Sequence, residues 1–516
     1  MNIIGAYLIT FIASFCILVI EIVAGRILAP YVGVSLYTWT SIIGVVLAGI
    51  SIGAYLGGWL ADRFPTPSTL AWLLIISGIA VLIISPITNL IAGYQFPTTL
   101  MLRILIVTTI TFFIPSCILG MISPVVVKLA VKNIEKMGHA VGKIYAISTL
   151  GSISGTFAAG FFLISWLGTR QIILLTGCVM MLTGLIFGAT LKMRKAAVGV
   201  AAVALLAATL GYGAAFKPQL DDNVFYYTES DYYTIQVAKV YSRDEVTVLN
   251  ALVLDNLTHS YVQPEDSYQI EYQYERIYGD VLKWKNRKNS YFRTLSIGGG
   301  GYTFPRYMDT YYPNSDNLVV EIDPVVTRTA FEQMGVPGDT RIKTINQDGR
   351  WFVMNCKEKF DVVFIDAYND LSIPYHLTTK EFAQQIKNIM NPGGIVLTNI
   401  IDNFQQGSFL PSYMRTLRSV FGEKNVHLIS IDPDFQNMGI STFIVMTGNG
   451  DINMKSFSAS LKKRFEGETS SEIVPEGLVN DYIKRNHSVL LTDDYAPIDN
   501  LIAPVFEDRF GYKRES

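Results

Sequence analysis

The chain has 516 residues with 41 basic and 43 acidic side chains, and its composition divides it in two. Residues 1–216 hold three acids, Glu21, Asp62 and Glu135, and eleven bases, a net +8; the remainder holds forty acids and thirty bases, a net −10. The acidic part argues against nucleic acid as a partner and suits a small cationic substrate. Four scattered cysteines give neither a disulfide framework nor zinc spacing, and five isolated histidines suggest no metal.

Seven apolar stretches, near 3–25, 37–60, 69–92, 101–127, 143–166, 171–191 and 196–216, reach the roughly 20 residues that a bilayer core requires. The first is too long, and leads too directly into further spans, to be a cleaved signal peptide. Gly49, Gly53 and Gly57, and likewise Gly151, Gly155 and Ala159, recur at four-residue spacing, which predicts faces for close helix packing. Residues 1–216 are therefore expected to be a multi-pass helical membrane domain of about seven spans, with the lipid bilayer as its partner.

Lys and Arg cluster after the second, fourth and sixth stretches, which places the N-terminus and the Lys192–Lys195 loop in the cytoplasm. If 196–216 then crosses, the soluble part lies outside the cell. A sulfonium nucleoside of the kind considered below is available inside, which requires 196–216 to lie along the membrane or re-enter it. Charge and chemistry conflict here, and the reading adopted is a cytoplasmic soluble domain.

Residues 224–262 alternate apolar and polar side chains around turn-like SRDE and LDN, which predicts a small antiparallel β-unit within 217–290. A helical stretch, YQIEYQYERIYGDVLKW, follows. From 291 to 516 the strands TLSIGGG, NLVVEID, RIKTI, FDVVFIDAY and GGIVLTNI alternate with helical segments, which predicts a parallel sheet of Rossmann-like type. Ligands collect at the carboxyl ends of such strands.

The candidate site is read from those ends. Gly298, Gly299 and Gly300 let backbone approach a ligand, and Glu321, about 20 residues on, stands where a carboxylate accepts both ribose hydroxyls. Asp348 and Gly349 end the third strand and Asp366 the fourth. Asp323, followed by Pro324, reads instead as a helix N-cap.

In their order and spacing, YTESDYYTIQV, VLDN, YQYE, SIGGGG, VVEID, NQDG, FDVVFIDAY and NPGGIVLTN resemble the spermidine synthase or aminopropyltransferase family across nearly all of 224–450. The hydrophobic region before them resembles the membrane-fused bacterial members. The resemblance implies a methyltransferase-type domain, a homodimer, decarboxylated S-adenosylmethionine as co-substrate and methylthioadenosine as product. It further implies that Gly298–Gly300 contact the nucleoside, Glu321 the ribose, Asp348 and Gly349 the adenine, and that Asp366 is the base accepting a proton from a putrescine-like diamine. His259, Tyr274, Tyr368 and Asp370 are the implied substrate contacts, with His376 on the loop that gates the substrate.

The chain departs from the family pattern at three places. Gly301 stands where GGGDG has its acid, Asp370 follows Asp366 by four residues rather than three, and His259 replaces a Gln. Two alternatives therefore stay open: other S-adenosylmethionine chemistry, by methyl transfer or acceptor-free cleavage, and a non-catalytic nucleoside sensor or transporter.

Overall fold

The computed structural model describes residues 1–92, 94, 96, 98–131, 137–189, 220–242, 244–285, 290–368, 373–437, 439–462 and 471–510. Their contacts divide the chain into two units, Met1–Asp221 and Asp222–Ser516.

Among the described residues, the first unit contains six helices long and apolar enough to cross a membrane: Ile3–Val32, Leu36–Arg63, Pro67–Ile91, Met101–Ala130, Met137–Trp166 and Thr169–Ala189. The expected seventh, 196–216, lies outside the described residues. Small residues set how closely these helices approach. A Cβ on Gly53 would stand 2.0 Å from the carbonyl oxygen of Cys117, and Cβ atoms on Gly151 and Gly155 would each stand 2.4 Å from carbonyl oxygens of the first helix, those of Phe11 and Phe15. Backbone packs on backbone there, the close approach that small residues permit. Thr108, Thr111 and Thr176 return their hydroxyls to carbonyls four residues earlier, which satisfies polar groups inside apolar helices. Pro115 lacks an N–H, and the π-turn at Thr109–Phe113 absorbs the interruption just before it.

The second unit opens with β1 (Val224–Glu229), β2 (Thr234–Tyr241), β3 (Val248–Leu254) and β4 (Leu257–Val262), an antiparallel meander in sequence order. The β3–β4 turn places Asp255 at φ 51°, and its carboxylate accepts the Thr234 N–H at 2.8 Å. Helix Gln273–Trp284 follows and buries Tyr274, Ile277, Tyr278 and Val281. The larger sheet comprises β5 (Phe292–Ile297), β6 (Ser315–Glu321), β7 (Lys343–Asn346), β8 (Phe360–Ile365), β9 (Met390–Asn403), β10 (Val426–Ser430), β11 (Ile440–Gly448) and β12 (Glu472–Ile473). Its order is β12-β10-β11-β9-β8-β5-β6-β7.

Strands β5 to β9 are parallel, as their alternation with helices predicts, but β10, β11 and β12 pair antiparallel and make the sheet mixed. The short segment between β10 and β11 leaves no room for a crossover helix, so those two strands can only form a hairpin-like pair. Ile297, Val319, Val363, Ile365, Val396 and Leu397 are at most 2% exposed, and each such burial contributes roughly 1.5 to 3 kcal/mol.

From β5 the chain runs to β6 and β7 on one side, then returns to β8 and β9 on the other. The carboxyl ends of β5 and β8 therefore border the crevice at which a doubly wound sheet receives a ligand.

Candidate active site

The first wall of that crevice is a glycine turn. Gly298 has φ +95° and Gly300 φ +49°, and a Cβ on Gly298 would lie 2.2 Å from the carbonyl oxygen of Asp366, so side chains are excluded where β5 and β8 converge. Glu321, at the end of β6, closes the turn from the side. Its Oε2 accepts the Gly299 N–H at 2.7 Å and its Oε1 the Asp323 N–H at 3.0 Å. Burial pushes its carboxyl above the ordinary value, against the lowering by those backbone bonds. Asp323 caps helix Pro324–Gln333 through the Val325 N–H at 2.8 Å, the role its sequence context predicts.

Asp348 faces two ways. Its Oδ1 caps helix Gly349–Asn355 through Trp351 N–H at 2.8 Å, and its Oδ2 lies 2.9 Å from His376 Nε2. Gly349 is tight against β5, since a Cβ there would stand 2.5 Å from Ile297 Cγ2. Arg350 anchors the next segment by donating to the His376 carbonyl at 3.0 Å and to both carboxylate oxygens of Asp493 at 2.7 and 2.5 Å. That guanidinium holds the Asp493 carboxyl below its usual range. Asp493, in the LTDDY turn, thus ties down the loop that carries His376.

Asp366 is held at both oxygens. Tyr274 O–H donates to Oδ2 at 2.9 Å and Asn399 Nδ2 to Oδ1 at 2.9 Å. Burial pushes the carboxyl up, and both hydrogen bonds pull it back. Asn399 belongs to β9, whose register sets Thr398 beside Ile365 of β8, so the residues following each pair lie side by side.

His259, Tyr274, the glycine turn, Glu321, Asp348, Gly349, Asp366 and Tyr368 all line one cavity. Tyr368 commits its hydroxyl elsewhere: it donates to the Asn399 carbonyl at 2.9 Å and accepts the Ile401 N–H at 2.8 Å. Asp370 lies outside the described residues. Asn399 and Ser260 belong to the site without having been read from the sequence. Among the described residues, no group of three or more His, Cys, Asp or Glu could hold a metal ion.

Residues 284–456 match the spermine/spermidine synthase domain family. That match lies within the second unit. A probable polyamine aminopropyl transferase of Bifidobacterium longum is 30% identical over 235 residues, covering 43% of this chain and 52% of that protein. The polyamine aminopropyltransferase of Vibrio vulnificus is 30% identical over 169 residues, 32% of this chain and 54% of its own length. The chain thus spans about half the length of these curated relatives. A crystal structure of a probable spermidine synthase from Corynebacterium glutamicum aligns at TM-score 0.45 and 20% identity, over 53% of this chain and 97% of that one. The matched span of the synthase domain runs from the end of helix Gln273–Trp284 to just beyond β11, and so includes the glycine turn, Glu321, Asp348, Asp366 and Asn399.

Proposed function

We propose that this protein transfers the aminopropyl group of decarboxylated S-adenosylmethionine to a small amine, giving a longer polyamine and methylthioadenosine. The observation that carries this reading is the Asp366 carboxylate, fixed by Tyr274 and Asn399 in the same cavity as Glu321 and the glycine turn. In this reading the nucleoside lies on Gly298–Gly300 with its ribose against Glu321 and its adenine against Asp348 and Gly349. In the same reading His259, Tyr274 and Tyr368 border the amine.

An aliphatic amine is protonated at neutral pH and has no free electron pair. Asp366 removes one proton, and the nitrogen pair attacks the propyl carbon beside the sulfonium. The carbon–sulfur bond breaks, and its electrons return to sulfur as the neutral thioether of methylthioadenosine. General-base assistance of this kind is worth roughly 10² to 10⁴ in rate, and in-line positioning adds to it.

The six apolar helices are taken to span a cell membrane, with the synthase domain in the cytoplasm beside its nucleoside and paired as a homodimer. Protease accessibility on intact cells and light scattering in detergent test these two points. The chemistry is tested by incubating the purified full chain with both sulfonium compounds and a diamine panel, with products read by mass spectrometry. Methylthioadenosine together with an aminopropylated amine is expected; S-adenosylhomocysteine would show methyl transfer instead.

A further inference from the structure

Among the described residues, four carboxylates line the cavity, Glu275, Glu321, Asp348 and Asp366. Three are engaged at both oxygens: Glu321 by the Gly299 and Asp323 N–H groups, Asp348 by Trp351 and His376, Asp366 by Tyr274 and Asn399. Glu275 differs. It lies in the first turn of helix Gln273–Trp284, is 6% exposed, and its Oε2 has no hydrogen-bond partner among the described residues. Arg306 lies close enough to act on its charge, yet spends its guanidinium on the carbonyls of Gln263, Pro264, Asp266, Met334 and Gly335. The Phe304 N–H serves this carboxylate as well, so the cost falls on the one oxygen left without a partner, and a ligand cation set against that oxygen removes it.

The glycine turn holds no acid and has no room for one. Gly301 N–H donates to Ser260 Oγ at 2.8 Å, and a Cβ at position 301 would stand 2.6 Å from Ser260 Cβ. An aminopropyl sulfonium carries a primary ammonium three carbons from sulfur, and that ammonium needs a carboxylate that is not already committed.

We infer that Glu275 holds the primary ammonium of the transferred arm and so selects the decarboxylated nucleoside over S-adenosylmethionine. This rests on the aminopropyl-transfer reading above. Selection follows from charge: S-adenosylmethionine keeps that ammonium but adds a carboxylate beside it, which a Glu275 ionised by the ammonium would repel in a poorly screened interior. Methylthioadenosine, which has no ammonium, is indifferent to Glu275.

The test is calorimetry of the full chain and of Glu275→Gln with decarboxylated S-adenosylmethionine, S-adenosylmethionine and methylthioadenosine. A charge-assisted hydrogen bond predicts a loss of roughly 10- to 100-fold in affinity for the decarboxylated compound, with methylthioadenosine unchanged and S-adenosylmethionine unchanged or tighter. The triple variant Glu275→Gln, Ser260→Gly, Gly301→Asp opens the glycine turn to an acid and should recover much of the loss. Equal effects on all three ligands, or none, overturn the inference. Failure of the wild-type chain to bind methylthioadenosine overturns the nucleoside reading itself and the inference with it.

A second measurement does not depend on the folding of the Glu275 variant. Burial, the first cause, pushes the Glu275 carboxyl well above its ordinary value, and that cause persists when the Asp366 charge is removed. In Asp366→Asn protein, infrared difference spectra should show a protonated carboxyl band lost on adding decarboxylated S-adenosylmethionine and retained with methylthioadenosine. A band that persists with both contradicts the inference.

Discussion

Tyr274→Phe tests the proposal that Asp366 is the base and that Tyr274 sets its state. The Tyr274 hydroxyl donates to Asp366 Oδ2 at 2.9 Å, while its ring packs edge-on to Tyr278 at 5.6 Å and beside Tyr272 at 5.2 Å, contacts that phenylalanine keeps. The variant therefore removes one hydrogen bond and little packing. A bond to an ionised group contributes about 1.5 to 3 kcal/mol, so the ratio of ionised to protonated Asp366 falls roughly 10- to 150-fold at a given pH. The sign follows from the wild type. Burial already holds this carboxyl above its ordinary value, so a base at this position would act only above that raised value, and losing a donor to the carboxylate raises it further. The acid limb of the kcat/KM profile should move to higher pH, with activity reduced by up to the same factor below the limb and restored well above it. Methylthioadenosine affinity should not change. A limb that stays in place, or moves to lower pH, would refute the view that this bond governs the base.

Two further substitutions test the frame of the site. Gly298→Ala forces a side chain onto φ +95° and 2.2 Å from the Asp366 carbonyl, so stability should fall by roughly 2 to 6 kcal/mol and nucleoside affinity with it, read by thermal melting and calorimetry. A variant as stable as wild type would mean that the turn is not closed as described. Asp402 is fully buried and accepts the Leu410 N–H at 2.7 Å and the Asn403 N–H at 2.8 Å, yet burial pushes its carboxyl up to about 7. Its folded value lies above the unfolded one, so its contribution is complete below about pH 4 and is lost as pH rises through 7. Wild-type Tm should decline across that window with a component absent from Asp402→Asn; identical profiles would contradict it.

Much of this architecture was legible because strand ends carry its chemistry. SIGGGG, VVEID and FIDAY each end an apolar run, NQDG ends the more polar RIKTI, and a doubly wound sheet brings such ends to one crevice. The N-cap role of Asp323 was equally local, fixed by Pro324 beside it. Asn399 was missed although its signal was present: reading FDVVFID and GGIVLTN as neighbouring parallel strands sets Asp366 and Asn399 side by side. Ser260 carried no comparable signal, since its contact with Gly301 joins the small β-unit to the large sheet across 41 residues. The antiparallel end of the sheet was missed for another reason. VHLIS and ISTFIVMTG are buried runs with weak alternation, and their direction depends on the length of the segment between them. The glycine spacing in the apolar helices announced close packing, and the Cβ distances at Gly53, Gly151 and Gly155 agree with it.

The most direct measurement is turnover and binding in Asp366→Asn, made side by side on the full chain. Decarboxylated S-adenosylmethionine and a diamine should give methylthioadenosine and a longer amine with the wild type, and at least about 100-fold less with the variant. Calorimetry should show methylthioadenosine bound by both proteins with similar affinity. Undiminished turnover in the variant would contradict the assignment of Asp366 as the group that frees the attacking nitrogen.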